Sequence, residues 1–310
     1  MMKVLVLLST FNGAAYLHEQ IDSILSQNGV DVFLLIRDDG SKDSTPDIIM
    51  RYECNNHNIR SSIGRNVGCA ESFRILLNMA YGMEEQYDFY AFADQDDVWL
   101  PEKLSVACEK LKESYVNLPS LYCSNLRVVD KDLCEIGMKY SPSVKLVTKG
   151  ESLVCSMATG CTMVFNHKVL EIFNLYPPRH MVIHDLWILH TCLFLGEVIY
   201  DNNAYILYRQ HGRNVIGAKV TFSSQVKTKM KSLAHLFSEH ENEEEAKELL
   251  KCYSSLLDPI DLDLIHILAD YKKNWQNWWK FLIGENKETR AIHRQHNNWI
   301  LKMRIFLGCV

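Results

Sequence analysis

The chain has 310 residues, 47% hydrophobic and 23% charged, a composition that favours a folded protein with a sizeable core. Its formal net charge of −5 and the lack of a recognition signature argue against nucleic acid as a partner. Ten cysteines are scattered without a CxxC pair, which argues against zinc and favours reduced thiols in the cytoplasm. The apolar run at the N-terminus is too short to span a bilayer and lacks a cleavage site. We interpret it as a first strand and expect no transmembrane helix.

The first hundred residues alternate short apolar runs with helical periodicity, which is typical of a parallel sheet covered by helices. Strands are predicted at 3–8, 32–36, 59–63 and 88–93, with helices between them. Each of these strands is followed directly by a polar segment. Because ligands of open α/β sheets bind beyond the carboxyl ends of the strands, the polar segments are candidates for one site.

The rest of the chain divides into two parts. Up to about residue 208 the pattern is mixed, with strands predicted at 121–129, 160–165, 197–200 and 204–208 and helices at 167–174 and 185–195. The last ninety residues are rich in lysine and glutamate and have helical character. We therefore expect an α/β domain over 1–217 and a helical region over 218–310, with the boundary near Gly217.

The most informative segment follows the fourth predicted strand, where Asp94, Asp96 and Asp97 fall within four residues. Burying this much negative charge at a strand end is costly unless a cation neutralises it. Closely spaced carboxylates suit Mg²⁺ or Mn²⁺, which bridge protein to substrate phosphates. The alternative is an acidic helix N-terminus, since Pro101 and Glu102 follow.

Three earlier polar segments allow both a functional and a structural interpretation. Residues 9–13 form a small, glycine-containing loop through which the backbone could approach a ligand, or a plain strand–helix turn. Asp38 and Asp39 could accept hydrogen bonds from a base or a ribose, although Asp-Gly is also an ordinary turn dipeptide. Arg65 could meet phosphate or carboxylate, or it could be a solvated loop arginine.

Taken together and in this order, the four segments resemble the family 2 glycosyltransferases of the GT-A fold. Within that family they are most similar to rhamnosyltransferase-like enzymes of bacterial polysaccharide assembly. The matching segments are LSTFNG at 8–13, RDDGS at 37–41, GRNVG at 64–68 and ADQDDVWLPEK at 93–103. The resemblance covers about 1–217 and is weak beyond that. It implies an α/β, Rossmann-like, mostly parallel sheet flanked by helices, with a helical C-terminal extension.

The resemblance also implies roles for the acidic segment. Asp94 and Asp96 match the two carboxylates of the DxD motif. Asp96 would bind Mn²⁺ or Mg²⁺ on the donor diphosphate, and Asp94 would lie near the donor ribose or in the metal shell. Asp97 would be an additional group whose role stays open, with helix capping as a second role.

The nucleoside of the donor is assigned to the earlier segments in the same way. Thr10 and Asn12 belong to the loop that cradles the nucleoside. Asp39 matches the acidic residue that contacts the base, and Asp38 is a second candidate for that contact. Arg65 is a candidate for the donor nucleotide.

Asp185 stands just before an apolar helix, and alone it would be interpreted as a helix N-cap. By the resemblance it corresponds to the catalytic base. Members of the family often have Glu or Asp in the preceding position. This chain has His184 there, and its role stays open.

A segment matching the one that closes the active site in rhamnosyltransferase-like members is YRQHGRNVIG at 208–217. The resemblance makes His211 a candidate third metal ligand, and an imidazole beside carboxylates suits Mn²⁺. The alternative is a loop histidine bonded to backbone. Arg209 and Arg213 are candidates for neutralising the diphosphate.

The resemblance implies a single displacement that inverts the anomeric carbon. The donor would be a nucleotide-diphospho-sugar, with L-rhamnose on dTDP as the first guess, and the acceptor a saccharide or a lipid-linked saccharide. The alternatives are a sugar-nucleotide pyrophosphorylase and a non-catalytic nucleotide-sugar or carbohydrate-binding protein. A pyrophosphorylase would favour a basic glycine-rich loop after the first strand, and residues 9–13 contain no cation.

The tail combines aromatic and basic residues, with Trp275, Trp278 and Trp279 between lysines and a second apolar run after Trp299. This composition fits helices that lie in a membrane interface. The alternative is that they pack on the catalytic domain or on a second copy in a homo-oligomer. The resemblance favours a cytoplasmic enzyme held on the inner face of the cell membrane.

Overall fold

The computed structural model describes residues 1–114, 117–141, 145–154, 158–211 and 241–283. The strands are β1 Met2–Thr10, β2 Val30–Asp38, β3 Ile59–Ile63, β4 Phe89–Ala93, β5 Val98–Trp99, β6 Ser120–Val129, β7 Glu135–Met138, β8 Val164–Asn166 and β9 Glu197–Arg209. The helices are α1 Leu17–Leu25, α2 Thr45–Asn55, α3 Cys69–Tyr81, α4 Lys103–Lys112, α5 Lys149–Ser152, α6 His167–Leu175, α7 His184–Leu195, α8 Glu241–Tyr253, α9 Pro259–Ala269 and α10 Trp275–Ile283.

The predicted parallel sheet forms the first half of the fold, with strands in the order β3-β2-β1-β4. β1 lies between β2 and β4 and pairs in parallel with both. Its residues from Val4 to Leu8 are each at most 1% exposed, because helices cover both faces. Helix α3 packs on one face, and α1, α2 and α4 pack on the other. Because the four strands are parallel, their carboxyl ends all lie at one edge of the sheet.

The second half of the sheet is mixed. Strands β5 and β7 were not predicted from the sequence, and the prediction differs from the structure in two further places. The strand predicted at 160–165 is wrong over its first three residues, because Gly160–Thr162 form a 3₁₀ turn and the strand is Val164–Asn166. The strands predicted at 197–200 and 204–208 are one strand, β9. Its polar residues 201–203 suggest a turn, but a shift in register between β6 and β9 accommodates them within the parallel pairing.

The described C-terminal helices α8, α9 and α10 pack against the α/β part of the chain through α7. Tyr253 of α8 contacts the Trp187 ring at 5.5 Å, and its hydroxyl lies 2.9 Å from that of Thr191. His190 of α7 reaches Glu245 of α8 at 3.3 Å, and both side chains are at most 2% exposed. The predicted boundary near Gly217, Arg213 and the second apolar run after Trp299 lie outside the described residues. Among the residues described, no helix is both long and apolar enough to cross a membrane.

Candidate active site

A cleft of about 800 Å³ opens beyond the carboxyl ends of β1, β2 and β4. All four polar segments predicted from the sequence contribute to it, through residues 9–11, Asp39, residues 66–68 and residues 94–96. Residues 179–185, which lead into α7, also line the cleft and include Asp185. Parallel pairing brings the first four segments together, and the packing of α7 adds Asp185, which is 176 positions from Ser9 (185 − 9).

The acidic segment concentrates negative charge at the end of β4. Burial, followed by the charges of Asp96 and Asp185, raises the pKa of Asp94 to about 7. Burial, followed by the charges of Asp94 and Asp96, raises the pKa of Asp97 well above its usual value, and this side chain is fully buried. One oxygen of Asp97 accepts from the backbone N–H of Arg209 at 3.2 Å, and the other has no hydrogen-bond partner among the described residues. This excess charge is what a bound cation would neutralise.

The helix-cap interpretation of the acidic segment is wrong. Helix α4 begins at Lys103 with Glu102 as its cap residue, and strand β5 lies between the helix and Asp97. None of the three carboxylates is therefore the cap residue of α4, although the charge of Asp97 acts on the buried ammonium of Lys103.

His211 meets the acidic segment although it lies 115 positions away. Its Nε2 is 2.8 Å from Oδ2 of Asp96, and both side chains are 13% exposed. The imidazole also stacks on Tyr16, with ring centroids 4.9 Å apart. Burial raises the pKa of Asp96, and the hydrogen bond and charge of His211 oppose that rise.

These residues fit a divalent cation. Asp94 and Asp96 offer carboxylate oxygens at one strand end, His211 offers a nitrogen, and the raised pKa of both carboxyl groups is what a nearby cation would oppose. Oxygen ligands with one imidazole suit Mn²⁺, and the carboxylates alone suit Mg²⁺. Among the described residues, the group whose possible ligand atoms all lie within 4.8 Å of one another is Asp94, Asp97 and Cys161. Asp96 and His211 contact each other but do not belong to that group. Burial, followed by the charges of Asp97 and Asp94, raises the pKa of Cys161 well above its usual range, so the thiol keeps its proton beside these carboxylates.

The two carboxylates after β2 have different surroundings. Asp38 is fully buried and accepts from the Thr10 hydroxyl at 3.0 Å and from the N–H of Ser41 at 2.9 Å, so it organises the loop. Asp39 lines the cleft, although Arg37 and the N–H groups of Val67 and Gly68 bond its oxygens. A carboxylate has about four acceptor positions, so Asp39 can still accept from a ligand. Of the two candidates for the base contact, the geometry favours Asp39.

The other residues predicted for the nucleotide are distributed unevenly around the cleft. Thr10 lines it, whereas Asn12 supports the loop by accepting from the N–H of Lys42 at 2.9 Å. Asn12 has a φ of 50°, a left-handed conformation that asparagine tolerates better than most residues. The side chain of Arg65 is exposed, and the cleft is lined instead by the residues that follow it.

Arg209 does not extend into the cleft as predicted. Its guanidinium donates to the carbonyl oxygens of Asp96 at 3.0 Å and Lys131 at 2.6 Å and pairs with Glu19. It also lies 4.4 Å from the Tyr16 ring centroid, and the side chain is 2% exposed. The physical reason is that a buried guanidinium needs several acceptors. Here they come from three segments, the turn after β4, the turn after β6 and helix α1. Arg209 therefore holds the Asp96 backbone in place.

Asp185 is the second residue of α7, and the predicted N-cap role is wrong because the cap position is Ile183. Its Oδ2 accepts from the N–H of Gly160 at 3.1 Å, and the carboxylate lines the cleft. The preceding His184 is 3% exposed, stacks on Phe73 with centroids 3.7 Å apart, and has no hydrogen-bond partner for either ring nitrogen in the described structure. Burial lowers the pKa of His184 to about 4, so a neutral ring stands beside Asp185.

Sequence reasoning missed Lys139, which lines the cleft, and Cys161, whose thiol lies near Asp94 and Asp97. Lys139 follows β7, and its Nζ donates to the Thr159 hydroxyl at 2.6 Å. Cys161 belongs to the 3₁₀ turn that was predicted as a strand. Neither occurs in a recognisable motif. A lysine after an amphipathic hairpin strand is ordinarily a solvated surface residue, so no sequence signal marked it.

The acidic strand ends, the cleft at the edge of a parallel sheet and the layered α/β architecture define the nucleotide-diphospho-sugar transferase fold, GT-A. The family model described as glycosyl transferase family 2 matches residues 5–173, more than half of the chain, so this chain belongs to glycosyl transferase family 2. Within this family it is similar to a rhamnosyltransferase.

Curated relatives agree with this membership. The dTDP-rhamnosyl transferase RfbG of Shigella flexneri is 28% identical over 240 residues, which cover 71% of this chain and 77% of that protein. An uncharacterized glycosyltransferase of Nostoc sp. is 27% identical over 250 residues, which cover 78% of this chain and 75% of that protein.

Solved structures confirm the fold. The crystal structure of S. aureus TarS 1–349 in complex with UDP-GlcNAc has a TM-score of 0.54 at 15% identity, covering 99% of this chain and 92% of that one. The structure of TarS 1–349 without a named ligand also gives 0.54, at 17% identity and 99% and 81% coverage.

Proposed function

We propose that this glycosyltransferase moves a sugar from a nucleotide diphosphate donor to a saccharide or lipid-linked saccharide acceptor, with inversion at the anomeric carbon. The observation that carries the proposal is the convergence of Asp39, Asp94, Asp96 and Asp185 on one cleft. The similarity to a dTDP-rhamnosyl transferase supports L-rhamnose on dTDP as the first donor to test.

Asp185 is proposed as the general base. Its carboxylate lines the cleft and is held by the Gly160 N–H, so it can accept the proton of an acceptor hydroxyl. The acceptor oxygen then forms its bond to the anomeric carbon from the face opposite the leaving group. The bond to the diphosphate oxygen breaks, and its electron pair leaves with the nucleoside diphosphate. One displacement inverts the configuration and needs no covalent enzyme intermediate.

Asp94, Asp96 and His211 are proposed as the residues that hold Mn²⁺ or Mg²⁺. When bound, the ion supplies Lewis-acid stabilisation of the charge on the departing diphosphate. Asp97 adds negative charge near Asp94 and Asp96 and accepts a hydrogen bond from the backbone N–H of Arg209. Thr10 and Asp39 are proposed to face the nucleoside, since both line the cleft on the β1 and β2 side.

The alternative functions are less well supported. Membership of glycosyl transferase family 2 favours transfer over the pyrophosphorylase reaction. A non-catalytic binding protein would not require a carboxylate at position 185. Here Asp185 is present, lines the cleft and is oriented by a backbone hydrogen bond.

We also propose that the C-terminal helices bring the enzyme to the inner face of the cell membrane. Helix α10 buries Phe281 at 1% exposure but leaves Trp275, Trp279 and Ile283 exposed by 71%, 45% and 65%. Exposed indole rings interleaved with lysines suit the interface of an anionic bilayer. Cosedimentation with vesicles tests this proposal.

Metal-dependent binding of nucleotides tests the central proposal. Calorimetric titration with dTDP, UDP and GDP should show binding that Mn²⁺ or Mg²⁺ strengthens by at least about tenfold. Asp96→Asn should lose most of that metal-dependent gain, because it removes the charge of one proposed ligand. Asp132→Asn, at an exposed loop carboxylate, is the matched control and should bind as the wild type does. The proposal fails if no nucleoside diphosphate binds in a metal-dependent manner.

A further inference from the structure

Among the described residues that line the cleft, lysine or arginine occurs at Arg74, Lys139 and Arg179. Arg74 is paired with Glu71 on the outer part of α3, and Arg179 is exposed at the rim. Lys139 lies deeper. It is the cation placed to act on charge at the centre of the cleft.

The position of Lys139 is fixed by its backbone and by its side chain. Its N–H donates to the carbonyl oxygen of Leu126 at 3.1 Å. The next residue, Tyr140, exchanges hydrogen bonds with the buried side chain of Asn125, at 3.1 and 2.9 Å. Because β6 anchors this segment, the ammonium group is held in a defined place, with its Nζ 5.3 Å from the Tyr140 ring centroid.

Lys139 is linked to the proposed base through two adjacent residues. Thr159 accepts from the Lys139 ammonium at 2.6 Å, and Gly160 donates its N–H to Asp185 at 3.1 Å. The ammonium is also within electrostatic range of both Asp185 and Asp94. It is therefore near enough to interact with the charge of both the proposed base and a proposed metal-binding carboxylate.

We propose that Lys139, positioned by the Thr159 hydroxyl, binds the terminal phosphate of the nucleoside diphosphate and stabilises its charge as it departs. This assignment rests on the proposed function and adds to it a protein cation that no sequence motif indicates. An ammonium has three donors, and Thr159 uses one, so the chemistry suits a phosphate with several acceptor oxygens. A desolvated cation held beside aromatic rings acts on phosphate more strongly than a solvated one.

The test compares nucleoside diphosphates with their monophosphates. The affinities of dTDP, dTMP, UDP and UMP for Lys139→Met, Lys139→Arg and Thr159→Val are measured by calorimetry, with and without Mn²⁺. Lys139→Met should weaken diphosphate binding by about 10- to 100-fold and change monophosphate binding by less than about threefold. Lys139→Arg should restore most of the loss because it retains the charge. Thr159→Val should give a smaller loss in the same direction.

Lys112→Met is the matched control, since Lys112 is a 58% exposed lysine on α4. It should leave all four affinities unchanged. Diphosphate binding by Lys139→Met within twofold of the wild type overturns the inference, while the proposed function stands. Equal losses for diphosphates and monophosphates also overturn it, because the contact would then not be with the terminal phosphate. If the wild type binds no diphosphate with either metal, the proposed function itself fails.

Discussion

The burial of His184 in its neutral form makes a specific prediction about stability at acidic pH. Its ring is enclosed by Phe73 and Phe92, with centroids at 3.7 and 4.8 Å, and burial lowers its pKa from 6.5 to about 4. Below pH 6.5 His184 is protonated in the unfolded chain, whereas in the native chain it stays neutral down to about pH 4. The stability associated with neutral His184 is therefore complete above pH 6.5 and is lost as the pH falls towards 4.

The size of this loss follows from the gap of roughly 2.5 pKa units. Each unit corresponds to about 1.4 kcal/mol, so the full loss is about 3 kcal/mol and most of it accrues by pH 4.5. The assay is urea unfolding of the wild type and His184→Gln at pH 7.0, 6.0, 5.0 and 4.5, since glutamine does not titrate. Between pH 7.0 and 4.5 the wild type should lose about 2–3 kcal/mol more than the variant.

Comparing the two proteins cancels the contributions of the other titrating groups, which are common to both. His57→Gln, at an exposed histidine, is the matched control and should retain the pH dependence of the wild type. If the wild type and His184→Gln lose the same stability between pH 7.0 and 4.5, His184 is not buried as a neutral ring and the reasoning is refuted.

Two further predictions concern catalysis and membrane binding. Asp185→Asn should lower kcat by about 10²- to 10⁴-fold, measured as release of nucleoside diphosphate, while donor binding by calorimetry stays within a few-fold of the wild type; normal turnover would show that Asp185 is not the base. The double variant Trp275→Ala, Trp279→Ala should bind anionic phosphatidylglycerol vesicles at least about tenfold more weakly than the wild type, because two indole rings no longer enter the interface. Leu175→Ala, at a 67% exposed apolar residue on α6, is its control, and equal binding by the double variant would contradict the membrane proposal.

Much of the fold could be predicted from the sequence because its strongest signals are local. Apolar runs such as 3–8 and 88–93 have a single stable environment, a strand covered on both faces. Where the local signal was ambiguous the prediction failed, as at Gly160–Thr162, where an apolar stretch turns out to be a 3₁₀ turn. The polar residues 201–203 led to the opposite error, a break predicted inside a strand. Only the pairing of β9 with β6 shows that the strand continues.

The residues that line the cleft could likewise be predicted from the sequence only in part. The rule that ligands bind at the carboxyl ends of parallel strands was enough to bring Asp39 and Asp94 to one edge. No local rule could separate Asp38 from Asp39, since the distinction depends on which carboxylate the Thr10 and Ser41 groups engage inside the loop. The position of Arg209 could not be predicted for the same reason, because its guanidinium bonds to acceptors on three segments that are distant in sequence.

By itself the sequence determined the order of strands and polar segments, and with it the family and the main carboxylates of the site. These follow from patterns of a few residues and from the fixed direction of a parallel sheet. The resemblance made His211 a candidate beside these carboxylates, but only the tertiary structure showed its contact with Asp96, the enclosure of His184 by two phenylalanine rings and the contact of Lys139 with Thr159. Those contacts join residues that are 20 to 115 positions apart, and packing rather than any local preference sets such distances.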